Sequence, residues 1–316
     1  MFAAFALGAA LAITAPVQDP QTAPPAAEAP VRLEDVVTNA RRLEDATTDL
    51  VGEIAAPVRR RGFARWHDGV CVGVGNLDPA IAQQMTDRIS DVARELGLKA
   101  GEPGCHPSIL IVATSNASAF TAEFVAMRPR LFRVGGAGMD RGSAAFEDFI
   151  QTERPVRWWS VSQPTDADSG MPAVRLPGQV RGAATGDGSV FAYAPLIAVR
   201  GPSRLVSQYR QDLKRTFVII DVDRLNGVNL GQLSDYVAMV SLAQIDPGAD
   251  TARFETILNV FDEPVGAEGL TGWDMAYLRG LYDTAWYRIN ARSQVAAIRR
   301  AVEERYREGL VDETGE

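Results

Sequence analysis

The sequence FVIIDVDRLNGV at residues 217–228 decides the fold, together with NLGQLSDYVAMVSLAQI at residues 229–245. The first part is an apolar run that predicts a buried strand, and it ends in Asp221 and Asp223. The second part is almost uncharged and has apolar residues nearly all round, which predicts a helix buried on most of its sides. A catalytic motif is expected at such a strand–helix junction, and this segment carries no recognised one.

Local signals set the ends of this helix and of the next one. Asn229 and Gln232 have the spacing of a capping box, with Asn in place of the usual Ser or Thr. Pro247 ends the helix, because proline cannot continue the hydrogen-bond ladder. Thr271 and Asp274 form a second box-like pair and predict the start of another helix.

Working outward, shorter elements alternate along the chain. Strands are predicted at 70–74, 108–114, 155–163, 190–199 and 217–222, and helices at 79–96, 117–127, 229–245, from 271 onward and at 293–307. Residues 203–215 fit either a strand or a helix. The β-α-β order predicts neighbouring strands in one sheet. We therefore expect an α+β fold with a mixed β-sheet, packed helices and a helical C-terminal part.

The N-terminal region differs in composition from the rest. Residues 1–15 form an apolar run that is short for a membrane span and suits a signal peptide, with an uncleaved membrane anchor as the alternative. We expect the protein to be periplasmic or secreted. The predicted organisation is a signal peptide (1–15), an Ala/Pro-rich linker (16–31), an N-terminal helix (32–56) and an α+β globular domain (63–316).

Charge and cysteine content exclude several classes of function. The formal net charge of -8 disfavours a nucleic-acid binder, which usually presents a basic face. Cys71 and Cys105 are the only cysteines, and export favours a disulfide between them over two buried thiols. Its loop of about 34 residues is worth about 3–4 kcal/mol in the chain-entropy model. No CxxC occurs, and His67 and His106 are the only histidines, so we expect no metal site. We also expect no cofactor.

Two groups of residues are candidates for a site. Asp221 and Asp223, two positions apart at the end of a strand, could point the same way and hold Mg²⁺ in a hydrolase; the alternative is that they are turn and cap carboxylates. Trp158 and Trp159 could form a stacking platform for a glycan or a peptide. Because neighbouring strand residues face opposite sides, at most one of the two indoles is a ligand candidate.

The second half of the chain resembles uncharacterised exported bacterial proteins related to zincin-like, zinc-dependent metallopeptidases. The resemblance covers about residues 155–300 and is clearest in LTGWDMAYLRGLYD (270–283), followed by SQVAAI (293–298). It implies that the buried helix carries His-Glu-x-x-His. Here that helix reads LSDYVAMVSLAQ (233–244), with Asp235 and no histidine, so no catalytic residue of the family is carried over.

These observations lead to an expected function. We expect an exported, non-catalytic binding or interaction module on a metallopeptidase-like scaffold that lacks the metal. Its partner would be an unidentified periplasmic protein or cell-envelope ligand. The alternatives are a carboxylate-based hydrolase using Asp221 and Asp223, and a glycan or peptide binder using Trp158 or Trp159. Asp221, Asp223 and Asp235 are the polar residues most worth testing.

Overall fold

The computed structural model describes residues 33–58, 62–132, 141–173, 207–284 and 291–314. The chain divides into two compact units, Met1–Asn39 and Ala40–Glu316. Only the start of one helix, residues 33–39, is described in the first unit, so the fold below is that of the second. Among the described residues, no helix is both long enough and apolar enough to cross a membrane.

The described residues form four strands and eight helices. The strands are β1 (Val72–Gly75), β2 (Ile109–Thr114), β3 (Val156–Asp166) and β4 (Tyr209–Asp221). The helices are α1 (Leu33–Ile54), α2 (Pro79–Glu95), α3 (Ala117–Met127), α4 (Pro129–Phe132), α5 (Ser143–Gln151), α6 (Leu230–Leu242), α7 (Gly272–Asp283) and α8 (Ala291–Thr314).

The four strands form one mixed sheet in the order β1-β2-β4-β3. β1, β2 and β4 are parallel, and β3 is antiparallel to β4. The mixed sheet with its packed helices confirms the α+β class. Residues 209–215 of the segment 203–215 belong to β4, which resolves the choice between strand and helix for them. The strand predicted at 190–199 lies outside the described residues.

The predicted helix starts are confirmed in atomic detail. Asp78 caps α2 by accepting the backbone N–H of Ala80 at 2.9 Å. In α6, Asn229 and Gln232 each accept the other's backbone N–H at 3.0 Å, which completes the capping box. Each cap satisfies N–H groups that the first helical turn would otherwise leave unpaired. Between α6 and α7 the chain forms a short 3-10 turn, Ile257–Asn259.

Side chains of β4 alternate between two apolar clusters, one on each face of the sheet. Val218 and Ile220 face the larger cluster, which includes the buried sides of α2 and α6. Phe217 and Ile219 face a smaller, aromatic cluster that includes α4 and α5. There the ring of Phe132 stacks on that of Phe217 with 4.3 Å between centroids. The strand is therefore covered on both faces, as its unbroken apolar run predicts.

The predicted disulfide is present. Cys71 and Cys105 are bonded, with 6.1 Å between their Cα atoms. The bond joins the residue before β1 to the loop that enters β2. Gly101 lies against it: a Cβ at that position would be 2.5 Å from the Cys105 sulfur. Cys71 and Cys105 are 34 positions apart in the sequence, and the bond holds them at the same end of the neighbouring strands β1 and β2.

Replacing both cysteines by alanine should lower the free energy of unfolding by about 3–4 kcal/mol, because the unfolded chain regains the freedom of a long loop. Urea unfolding of the variant, and of the wild-type protein with and without reductant, measures the loss. An unchanged unfolding midpoint in both comparisons would contradict a structural role for the disulfide.

Helices α7 and α8 pack closely because Gly280 has no side chain. A Cβ at position 280 would lie 2.8 Å from both the backbone nitrogen and Cγ2 of Val302 on α8. Val302 and its neighbour one turn earlier, Ile298, are buried in the larger cluster. The C-terminal helix is therefore part of the core of the described fold.

Gly280→Ala should lower the free energy of unfolding by about 1–3 kcal/mol, since the added methyl group forces the two helices apart. Gly52→Ala is the matched control, because position 52 lies in helix α1 and has no atom within 4 Å of an added Cβ. We expect the control to be neutral or stabilising by up to about 1 kcal/mol. Equal effects of the two changes in urea unfolding would disprove the close contact.

Candidate functional site

Asp221 lies buried at the end of β4 and is engaged in hydrogen bonds to the backbone. Its carboxylate accepts the N–H of Ala117, the first residue of α3, at 3.3 Å. It also accepts the N–H of Asp223 at 3.3 Å, because the chain turns into a short 3-10 helix, Val222–Arg224. The structure therefore places Asp221 as a cap on two helical turns, which was the alternative considered from the sequence.

Asp223 does not join Asp221 in a shared site. The 3-10 turn ends the alternation of the strand, and the side chain of Asp223 is exposed. Throughout the residues that the structure describes, no three His, Cys, Asp or Glu side chains are grouped so that they could hold a metal ion. The Arg224 guanidinium also lies near Asp221, with its Nε 3.7 Å from Oδ2 of Asp221.

A buried arginine stands at the same edge of the sheet. Arg157 on β3 donates to the carbonyl oxygen of Ile150 and to the hydroxyl of Ser118, each at 2.8 Å. Burial lowers the pKa of the Arg157 guanidinium, and the negative charge of Asp221 opposes that shift. Arg157 thus holds the end of α5 and the first turn of α3 against the sheet, which is a structural task.

Asp235, the polar residue of the buried helix, connects three elements. Its two carboxylate oxygens accept hydrogen bonds from Nε and Nη2 of Arg88 on α2, at 2.5 and 3.0 Å. Oδ2 also accepts the backbone N–H of Leu270, at 3.0 Å. A Cβ on Gly269 would lie 2.4 Å from this oxygen, so only glycine fits there without a shift. Asp235 therefore ties α6 to α2 and to the loop before α7.

The two indoles face opposite sides of the sheet, as their positions predict. Trp158 belongs to the larger cluster and Trp159 to the aromatic one, and they are 7% and 2% exposed. The Nε1–H of Trp158 donates to Ile245 O at 3.1 Å, and that of Trp159 to Phe132 O at 2.8 Å. Neither ring presents a face to solvent in this structure, so neither is open for stacking on a ligand.

A different region offers an open groove, which we call the α7 groove. It has a volume of about 430 Å³ and lies between the loop that leads into α7 and the helix α8. Its lining consists of Glu255, Gly266, Ala267, Glu268, Gly269, Leu270, Thr271, Gly272, Trp273 and Tyr306. Cavities of this size are typical of sites for small molecules and short peptide segments.

The central helix α6 holds one wall of this groove in place. The side chain of Gln232 donates to the carbonyl oxygens of Pro264 and Ala267, at 2.6 and 2.7 Å. Asp235 fixes Leu270 through the N–H described above. Two neighbouring turns of one buried helix thus set the course of the loop, so the groove is formed before any ligand arrives.

The capping box of α7 holds the floor of the groove. Asp274 is fully enclosed and accepts hydrogen bonds from Thr256 Oγ1 at 2.5 Å, Ile257 N at 2.8 Å and Thr271 N at 2.9 Å. Burial raises the pKa of the Asp274 carboxyl, and these hydrogen bonds oppose the shift. The box joins the start of α7 to the 3-10 turn Ile257–Asn259, beside Glu255.

The groove combines an aromatic wall with exposed carboxylates. The rings of Trp273 and Tyr306 stack with 3.9 Å between centroids and 21° between planes. Glu255 and Glu268 are exposed, and neither has an ion-pair partner among the described residues. The two rings can stack on a planar group of a ligand, and the two carboxylates attract positive charge. The described lining contains no pair of groups placed to activate a nucleophile.

Two further cavities are less suited to a ligand. One, of about 170 Å³, is lined by Ala249, Asp250, Thr251, Ala252, Asn259, Asp262 and Glu263. The other, beside Arg65, His67 and Asp212, measures about 10 Å³, which is enough for about one water molecule. Desolvation by its neighbours lowers the pKa of His67, and the positive charge of Arg210 adds to that effect.

Reasoning from sequence did not find the α7 groove. Its signal is present in retrospect: Gly266 and Gly269 precede the capping box Thr271–Asp274, which itself contains Gly272 and Trp273. Tyr306, however, is 33 positions away from Trp273, and only the packing of α8 on α7 brings the two rings together. Among the predicted residues, Asp235 borders the groove through Gly269 and Leu270, whereas Asp221, Asp223 and the two indoles do not line it.

Comparison with known proteins gives no further information on this site. No family model, no curated protein and no solved structure matches the chain. The zincin-like resemblance therefore stays a prediction from the sequence. The described fold establishes the class of the protein as α+β, and its function has to be argued from the residues themselves.

Asp235→Asn should lower the free energy of unfolding by about 1–3 kcal/mol, because it removes the charge of a buried carboxylate that accepts hydrogen bonds from the exposed Arg88 and from the N–H of Leu270. Asp223→Asn is the matched control: it makes the same chemical change at an exposed position and should alter stability by less than about 0.5 kcal/mol. Chemical denaturation measures both. Similar stabilities for the two variants would show that Asp235 is not a structural tie.

Proposed function

We propose that this protein is an exported, non-catalytic binding or interaction module, and that the α7 groove is its binding surface. The observation that carries the proposal is the groove itself, a cavity of about 430 Å³ whose loop is held by Gln232 and Asp235 of the buried helix. A preformed cavity lowers the entropic cost of binding, since the loop is already ordered. Its lining offers aromatic rings for stacking and two exposed carboxylates, and no pair of lining groups is placed for catalysis.

The placement of the carboxylates supports a non-catalytic module over a hydrolase. A Mg²⁺-dependent reaction through Asp221 and Asp223 needs both side chains to reach one cation. Asp221 accepts two backbone N–H groups instead, and Asp223 points into solvent on the turn that follows. Asp235, which occupies the helix where the resemblance expects zinc ligands, is bonded to Arg88 and Leu270.

The disulfide supports export as part of the proposal. Disulfides persist in oxidising compartments such as the bacterial periplasm and the extracellular space. A bonded Cys71–Cys105 pair therefore agrees with the signal-like composition of residues 1–15. A periplasmic protein or a component of the cell envelope is accordingly the partner that we propose. The zincin-like scaffold without its histidines also suits a protein that binds and does not cleave.

A photo-crosslinking amino acid at position 268, at the mouth of the groove, tests this function in cells. We expect it to capture one and the same partner reproducibly. The control position is 123, which is exposed on α3, a helix that packs on the other face of the sheet. Identical captures from both positions, or none from position 268, would contradict the proposed surface.

A groove-filling variant makes the test specific. In Gly272→Phe the new ring has room to enter the groove, because an added Cβ meets only Tyr306, at an ordinary distance of 3.7 Å. We expect crosslinking from position 268 to fall to the level of the control position. Gly52→Phe adds the same ring in open space on α1 and should leave the capture unchanged. Capture that survives in the Gly272→Phe protein would place the partner elsewhere.

A further inference from the structure

We infer that the occupant of the α7 groove is a basic, extended peptide segment of the partner protein, one that carries arginine or lysine side chains. This inference rests on the proposed function and names the chemistry of its ligand. It follows from three features of the groove: the negative charge around it, its aromatic wall and the capped N-terminus of α7, which borders it.

The charge of the region is strongly negative. The segment between α6 and α7 lines both the α7 groove and the cavity of about 170 Å³ described above. Its exposed carboxylates are Asp250, Glu255, Asp262, Glu263 and Glu268. The one exposed cation in the same segment is Arg253, and it is 3.4 Å from Asp49 of α1. The exposed carboxylates beside the groove and the second cavity attract a peptide that carries several positive charges, and they repel anionic ligands.

The aromatic wall suits the side chains of such a segment. Trp273 is partly exposed and stacks on Tyr306, so the pair offers a π surface at the groove. A guanidinium group binds an aromatic face well, because it is planar and weakly hydrated. Leu270 lines the groove, and Val265, next to its loop, is 96% exposed. These apolar groups can contact the methylene stems of lysine or arginine.

The N-terminal end of α7 does not turn the groove into an anion site. A helix N-terminus carries partial positive charge, which by itself would favour anions. Here the capping box places the carboxylate of Asp274 within the first turn, where it accepts the N–H of Thr271. The box therefore occupies the backbone N–H groups of Thr271 and Asp274, which an anion cannot then bind. The exposed charges that remain at the groove are those of Glu255 and Glu268.

Binding of a labelled decapeptide of alternating lysine and arginine to the purified full-length protein tests the inference. We expect saturable binding by fluorescence anisotropy, weakened by added salt, because exposed charges are screened. A decapeptide of alternating lysine and glutamate and the polyamine spermine are the comparison ligands. The basic peptide should bind best. Equal binding of the mixed peptide would overturn the charge argument, and equal binding of spermine would overturn the peptide assignment.

The decisive variant is Glu255→Gln with Glu268→Gln, which removes two charges without removing either side chain. Affinity for the basic peptide should fall by about tenfold, as expected for two exposed ion pairs. Glu102→Gln with Glu123→Gln is the matched control, since both residues are exposed and lie outside the groove lining. It should change the affinity by less than about twofold. Equal losses in the two double variants would show that only net charge matters, and would overturn the site.

The two proposals can fail separately. If position 268 captures a partner but the basic peptide does not bind, the inference on ligand chemistry is wrong and the interaction function stands. If the basic peptide binds and loses affinity in Glu255→Gln/Glu268→Gln, but no partner is captured in cells, the groove chemistry is right and the proposed function is wrong. Loss of peptide binding in Gly272→Phe would confirm that the peptide occupies the groove itself.

Discussion

The structure depends on one buried carboxylate, that of Asp235. A carboxylate on an otherwise apolar helix is costly to bury unless its oxygens are hydrogen-bonded and its charge is paired. Both conditions are met, by the guanidinium of Arg88 and the backbone N–H of Leu270. Because Asp235 lies on α6 and its two partners come from α2 and the loop before α7, pairing one charge sets the relative positions of three parts of the fold.

The polar residues of the central helix thus act on the loop that follows it. Gln232 is bonded to two carbonyl oxygens of that loop, and Asp235 to one of its N–H groups. The resemblance to metallopeptidases leads one to expect the same helix to present ligands to a metal. In this protein its polar groups face protein and shape a groove one loop away. The loop that lines the α7 groove is therefore connected to the buried helix by hydrogen bonds, which hold it against the core.

Signals confined to a few neighbouring residues were reliable. Both capping boxes, the helix start at residue 79 and the opposite faces of Trp158 and Trp159 are confirmed, because each depends on spacing along one helix or strand. The pairing of Cys71 with Cys105 is also confirmed, since two cysteines allow a single intramolecular bond. The polar residues 209–215 were ambiguous, because their conformation depends on pairing with β3, which lies more than forty positions away in sequence.

The sequence by itself determined the class of fold, most of its strands and helices in their order, the disulfide and the lack of histidine in the buried helix, whereas α4 and α5 were not predicted. These follow from apolar periodicity, capping residues and residue counts, which are local or compositional properties. Only the tertiary structure decided what each candidate carboxylate does and where an open groove lies. Whether Asp221 binds a ligand or caps α3 depends on which backbone groups reach it, and the α7 groove exists because α8 brings Tyr306 onto Trp273. Such contacts join residues far apart in the chain, and no pattern along the chain specifies them.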